Sequence, residues 1–214
     1  MAGHRPLEAS ILVRVQVPQL GSGTAPVRMQ EQLNFFKIAL LDRRIGAMTR
    51  SSKYVVKAVV RNLDNQPLRR IIEYGPGDGV MTKAMLNKMP RDGELIVIET
   101  NPKFLKVLRE IKDPRLKVIK GTAQEVSKEL KRHNHAVVDL VISSIPFSIL
   151  EPAVREDIVS NTFDMLKNSG KFIVFHQYSP LMLGLLNKYF ETKAVNIQFE
   201  LRNILPCFIM SAQK

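Results

Sequence analysis

From residue 67 onward the chain alternates short apolar runs with stretches of helical length, and no other feature limits its fold as much. The runs at residues 71–74, 94–99, 116–119, 138–142 and 171–176 read as strands. Residues 80–88, a stretch opening at Pro102, residues 123–132, 152–167 and 180–189 read as helices. Pro90 stops the first helix, and Asn101 before Pro102 is an N-cap followed by proline at the first helical position. Asn168-Ser169-Gly170 reads as a turn, and residues 192–199 and 204–211 as two closing strands. Strands this apolar are buried on both faces. In series with helices they build a parallel sheet through right-handed crossovers. The closing pair predicts an antiparallel hairpin at one edge.

The leading residues differ. Residues 1–29 hold several Pro and Gly, a Gly21-Ser22-Gly23 stretch and a single acid, Glu8, beside Arg5, Arg14 and Arg28. They read as a disordered leader, with Met29 as the expected natural start. Residues 30–66 read as an N-terminal helical extension that caps the α/β domain at 67–214. Its first helix, at 30–41, is very apolar and carries Phe35 and Phe36, with Arg43-Arg44 behind it. Ser51 or Ser52 caps the second, which sets Lys53, Lys57 and Arg61 in one stripe and Tyr54, Val55, Ala58 and Val59 on the apolar face.

Composition narrows the partners. The 32 Lys and Arg against 20 Asp and Glu leave a net charge of +12, which favours polyanions, either nucleic acid or an anionic membrane surface. The apolar runs fall far short of the ~18 residues that span a bilayer. Cys207 is the single cysteine, so no internal disulfide forms, which fits a reducing cytosol. His133 and His135 lack companions at metal-ligand spacing, and no metal is expected.

The first strand runs into Glu73-Tyr74-Gly75-Pro76-Gly77-Asp78-Gly79, and a helix follows. Glycines there let the backbone turn sharply and approach a ligand. Glu99 lies twenty residues beyond Gly79, at the end of the second strand, where a carboxylate can accept both hydroxyls of a ribose. A dinucleotide fingerprint would place its third glycine three residues after the second. Here Gly75, Gly77 and Gly79 alternate, and Glu73 stands two residues before the first.

This Glu-x-Gly-x-Gly-x-Gly form resembles motif I of class I S-adenosylmethionine-dependent methyltransferases, and the likeness covers about residues 71–214. It implies an α/β, Rossmann-like, seven-stranded and mostly parallel sheet, with the last strand antiparallel and helices on both faces. S-adenosylmethionine is then the cofactor. Glu73 and Gly75 would lie near its methionine moiety, with Gly77 and Gly79 shaping the turn. Glu99 would hold the ribose, and Gly121-Thr122-Ala123 would face the adenine. Many members have an acid where this chain has Thr122, which leaves Thr122 and the Ala123 backbone for that contact. Ser143 completes the expected cofactor shell.

The fourth strand delivers Ser143-Ser144-Ile145-Pro146-Phe147 to the carboxyl edge of the sheet. Ser144-Ile145-Pro146-Phe147 resembles the Asn-Pro-Pro-Tyr type motif of amino-methyltransferases, with Ser144 in the place of Asn. The order of Arg43-Arg44-Ile45-Gly46-Ala47, the glycine motif, the 143–150 loop, Gln177-Tyr178-Ser179-Pro180 and Arg202-Asn203-Ile204-Leu205-Pro206 resembles bacterial phospholipid N-methyltransferases. That resemblance implies methyl transfer to the amine of a phosphatidylethanolamine-like headgroup. The enzyme would be cytoplasmic and peripherally bound to the inner face of an anionic membrane. Ile145, Pro146 and Phe147 would contact the substrate, and Arg202 would hold the lipid phosphate. Ser144, His176 and Tyr178 would orient the amine or take its proton. Ribosomal RNA adenine dimethylases share the Ile-Pro-aromatic element and the basic charge. They carry the alternative reading, RNA adenine N6-methylation, although a helical RNA-binding domain usually follows their sheet, and this chain stops at Lys214.

Overall fold

The computed structural model describes residues 51–63, 68–132, 138–177, 179–203 and 206–214. The expected leader at 1–29 and the helix at 30–41 lie outside the described residues. Helix α1 (Lys53–Arg61) opens at Ser52, whose backbone is extended and whose hydroxyl accepts from the Val55 amide at 3.4 Å. Val55, Ala58 and Val59 are buried, while Lys53 and Lys57 stay exposed.

Strict alternation follows: β1 (Arg70–Tyr74), α2 (Val80–Lys88), β2 (Glu94–Glu99), α3 (Pro102–Arg109), β3 (Leu116–Lys120), α4 (Ala123–Arg132) and β4 (Val138–Ser143). A 3-10 turn at Phe147–Ile149 leads into α5 (Pro152–Met165), β5 (Leu166–Gln177) and α6 (Leu181–Tyr189). A second 3-10 turn at Thr192–Ala194 precedes β6 (Val195–Glu200) and β7 (Cys207–Gln213). The caps are local. Asn101 Oδ1 accepts from the Lys103 amide at 2.9 Å, and Pro102 starts α3 without needing a donor. At α4, Thr122 and Glu125 form a reciprocal capping box: the Glu125 carboxylate accepts from the Thr122 amide, and Thr122 Oγ1 accepts from the Glu125 amide.

The seven strands pair in the order β3-β2-β1-β4-β5-β7-β6. All pairings from β3 through β5 are parallel, and β7 runs antiparallel to both β5 and β6. The sheet is therefore the expected one, mostly parallel with its last strand reversed. The closing hairpin occupies the edge, with β7 inserted inside β6.

Side chains alternate across the strands and build two cores. Ile72, Tyr74, Val141, Phe172 and Val174 pack with α4, α5 and α6 through Val126, Ile158, Val159, Met182 and Leu186. Ile71, Leu95, Val97, Ile142 and Ile173 pack on the other face with α1, α2 and α3 through Val55, Val59, Met81, Met85 and Leu108. Helix α1 thus belongs to the same layer as α2 and α3.

Boundaries moved where tertiary contacts outweighed local pattern. Residues 152–167 read as one helix, yet α5 stops at Met165 and β5 begins at Leu166. Leu166 is buried and pairs with Val138, and the Lys167 ammonium reaches Asp139. The register then shifts so that Leu140 pairs with Lys171, and the expected Asn168-Ser169-Gly170 turn becomes a bulge with Ser169 at φ 67°. Lys214 secures it, accepting from the Ser169 amide and donating to the Gly170 carbonyl. Residues 192–194 form a 3-10 turn instead of opening β6, and β7 starts after Pro206, which lacks the amide a ladder needs.

Gly184 lies exposed inside α6, with no atom within 4 Å of where a Cβ would stand. Gly184→Ala removes the entropic cost of helical glycine without a clash. It should stabilise the protein by about 0.5–1 kcal/mol, read as a higher Tm in a thermal melt.

Candidate active site

Strand β1 is where the sheet reverses its order of growth, with β2 and β3 on one side and β4 and β5 on the other. The loop after β1 leads to α2 on one face and the loop after β4 to α5 on the other, the arrangement at whose carboxyl ends open α/β sheets bind ligands. Three backbone bonds carry the ladder just past the strands: Gly75 N to Ile98 O, Gly121 N to Glu99 O, and Ser144 N to Tyr74 O, at 3.0–3.1 Å. The glycine turn, the turn after β3 and the Ser144 loop thus start from one level.

The glycine turn is left-handed at Gly75 and Gly77, with φ of 71° and 56°. A Cβ on Gly75 would stand 2.8 Å from Ile145 Cγ2, so the turn packs directly against the β4 loop. At Gly77 a Cβ would meet nothing within 4 Å, so the turn is open on that side.

Carboxylates gather beside this turn. Glu99 is 8% exposed and accepts three amide hydrogens, from Gly77 at 3.2 Å and from Thr100 and Asn101 at 2.8 Å each. Its bond to Gly77 ties the second strand to the turn. Glu73 is buried beneath it, where Thr82 Oγ1 donates to its carboxylate at 2.7 Å. Burial pushes the Glu73 carboxyl up to about 7, aided by the neighbouring Glu99 and Asp78 charges and opposed by the Thr82 hydroxyl. Thr82 went unremarked in the sequence, although it lies one helical turn past Gly79 on the inner face of α2 and could be found that way.

At the end of β4, Ser143 Oγ is buried and lacks a hydrogen-bond partner among the described residues. Ser144 Oγ donates to the Gly75 carbonyl at 2.5 Å, joining the two loops. Ile145 and Pro146 are half-buried. Phe147 is fully buried in the core beneath α5 and α6, so its ring holds the loop from below. Thr122 is exposed, and its hydroxyl donates to Glu125 at 2.8 Å, which sets a carboxylate beside the turn where the family pattern has an acid. Ala123 is buried behind it.

Other expected residues lie further off. Arg202 follows β6, three strands from β4, or roughly 14 Å at ~4.8 Å per strand. Its guanidinium fork is engaged by Glu200 at 2.8 and 2.9 Å and lies over the Tyr54 ring at 5.0 Å. His176 stands in the backbone of β5 near its carboxyl end, with its side chain outside the described set, and Tyr178 lies outside the described residues. Among the described residues, no group of His, Cys, Asp and Glu could hold a metal ion.

An acid ending β2, a glycine turn after β1 and a crevice at the reversal point define a class I S-adenosylmethionine-dependent methyltransferase. Solved structures share the fold. A Burkholderia thailandensis 1,6-didemethyltoxoflavin-N1-methyltransferase with bound S-adenosylhomocysteine superposes at a TM-score of 0.58, covering 92% of this chain and 93% of that one at 13% identity. A precorrin-6y C5,15-methyltransferase from Geobacter metallireducens also reaches 0.58, at 16% identity, over 78% of this chain and 95% of that one. The chain belongs to the ribosomal RNA adenine dimethylase family, which it matches over residues 46–168. Among curated relatives, an ornithine lipid N-methyltransferase of Singulisphaera acidiphila is 25% identical over 164 residues, 76% of this chain and 84% of that protein. Ribosomal RNA small subunit methyltransferase A of Variovorax paradoxus is 28% identical over 110 residues, 51% of this chain and 41% of that protein.

The residues present fit S-adenosylmethionine. The orphaned Ser143 hydroxyl and the open side of Gly77 both face needs that a polar, close-fitting ligand meets.

A buried carboxyl whose folded pKa exceeds its unfolded value binds its proton more tightly in the folded state. The stability it contributes is full below the unfolded value of 4.5 and is lost as pH rises to about 7. Glu73→Gln keeps the acceptor for Thr82 but removes the charge. Relative to wild type, the variant should gain on the order of 2–3 kcal/mol between pH 5 and pH 8, measured by denaturant unfolding at both pH values.

Proposed function

We propose that the enzyme transfers methyl to the amine of an amino-lipid headgroup of the phosphatidylethanolamine type, working peripherally at an anionic membrane surface. The likeness to an ornithine lipid N-methyltransferase carries this reading, because it runs over most of both chains, whereas the ribosomal RNA enzymes are matched over about half of this chain and less than half of their own length. Among the described residues no helix is long and apolar enough to cross a membrane.

S-adenosylmethionine, when bound, supplies an electrophilic methyl on a sulfonium sulfur. Glu99 would accept a ribose hydroxyl at the Oε2 lone pair that its three amide bonds leave available. Gly75, Gly77 and Gly79 would let backbone approach the methionine end, where Glu73 would answer the positive charge. Ser143 would give its orphaned hydroxyl to the same ligand. Thr122 and the Ala123 backbone would border the adenine.

Substrate enters opposite the sulfonium, past Ser144, Ile145 and Pro146. Ser144 Oγ uses its hydrogen to donate to the Gly75 carbonyl, so it offers an incoming amine its lone pairs. An N–H pointed at Ser144 Oγ turns the nitrogen lone pair away, toward the methyl, and that positioning is most of what the protein must do for an in-line displacement. The ammonium must first lose a proton, for which His176 and Tyr178 at the end of β5 are our candidates. Arg202 would need to exchange Glu200 for a lipid phosphate. Phe147 would serve as the floor of the loop.

Glu99→Ala should weaken S-adenosylmethionine binding at least tenfold by calorimetry, and Gly77→Val should abolish it by filling the open side of the turn. A folded variant with unchanged affinity removes that residue from the site.

RNA adenine methylation is the second reading, favoured by the family match over residues 46–168. Pure protein with labelled cofactor should methylate vesicles of phosphatidylethanolamine and phosphatidylglycerol and leave bulk RNA unlabelled. Labelled RNA with unlabelled lipid reverses the assignment.

A further inference from the structure

Three large apolar side chains are exposed among the described residues: Ile149 at 54%, Leu181 at 46% and Val107 at 39%. Two of them flank the crevice. Ile149 closes the 3-10 turn after β4, and Leu181 opens α6 after β5. Those strands are parallel neighbours, with Ser143 paired to Val174, so both loops leave side by side at the reactive edge. Pro152, Ala153, Pro180 and Gly184 are exposed around them and extend the lip, which carries one exposed acid, Glu151, and is followed by the half-buried Arg155.

Its charge is unusual for this chain. Residues 144–154 and 179–187, twenty in all, contain no Lys or Arg, whereas 32 in 214 would place about three there. Bases stand instead around the rest of that edge. Lys103 is exposed in the first turn of α3, which begins where β2 ends. Lys53 is exposed at the start of α1, and Tyr54 beside it reaches Arg202 past the carboxyl end of β6. An apolar strip beside the crevice with cations set back from it is the charge pattern of an anionic bilayer, apolar below and phosphate-rich at the surface. A nucleic acid would require cations at the contact itself.

We propose that the Ile149–Leu181 lip seats in the acyl-chain zone of an anionic bilayer, bringing the headgroup amine to Ser144 from the side. This rests on the amino-lipid reading above and adds the surface through which that substrate is reached. Apolar burial is proportional to area, so removing both side chains should matter more than removing either alone.

The test uses the full chain and the Ile149→Ser, Leu181→Ser double variant. Their melting and S-adenosylmethionine affinity should match, since both side chains are exposed and outside the cofactor shell. Co-sedimentation with phosphatidylethanolamine–phosphatidylglycerol vesicles should fall at least tenfold in the double variant, and vesicle methylation with it. Methylation of water-soluble phosphoethanolamine should stay at the wild-type rate, which a general loss of structure would not allow. Leu181→Cys carrying a polarity-sensitive dye should shift blue when vesicles are added. A double variant that sediments and methylates vesicles like wild type overturns the lip and leaves the substrate reading standing. Wild-type protein that labels no lipid overturns the substrate reading and the lip with it. A dye already blue-shifted without vesicles assigns the lip to a cover from the chain itself, and a shift with RNA but not vesicles assigns it to nucleic acid; either overturns the proposal.

Discussion

Six of the seven strands run the same way and end at one edge, and every loop with chemistry on it leaves from that edge. The order of strands reverses at β1, so its loop and that of β4 must part. Neither loop is free to drift. The ladder bonds past β1, β3 and β4 hold the three turns at one height, and Ser144 Oγ on the Gly75 carbonyl pins the two central loops together. Left-handed backbone at Gly75 then lets the turn lie against Ile145, where any side chain would collide.

Electrostatics follow from this geometry. Glu73 is carried into the core by the same strand that positions Gly75, and burial makes its charged form costly. Thr82 offsets part of that cost, while Glu99 and Asp78 add to it. In the function proposed above, these carboxylates answer the positive charge of S-adenosylmethionine. Glu99 shares the neighbourhood but is better solvated by protein, since three amides point at its oxygens.

The +12 charge has a shape as well as a sign. The loops after β4 and β5, residues 144–154 and 179–187, carry no Lys or Arg. Arg202, in the loop after β6, is already paired with Glu200 and stacked on Tyr54, so in the free enzyme it braces α1 against the closing hairpin.

Much of this was legible in the residues. The seven-stranded sheet follows from apolar runs at strand length separated by capped helices. The glycine turn and Glu99 follow from spacing that few other arrangements need. Ser52, Asn101 and the proline at 102 marked helix starts within a residue, because capping is a contact between near neighbours in sequence. The missed features are the non-local ones. Residues 152–167 show one helical pattern, and only the pull of Leu166 toward Val138 and of Lys167 toward Asp139 turned its end into strand. Thr82 under Glu73, the bond from Ser144 to Gly75, the engagement of Arg202 by Glu200 and the placing of Ile149 and Leu181 on neighbouring loops all depend on which strands lie side by side. Local sequence determined which elements form and where they start. Tertiary packing decided which side chains meet, because burial and hydrogen bonding across the sheet join residues whose separation along the chain carries no signal of their contact.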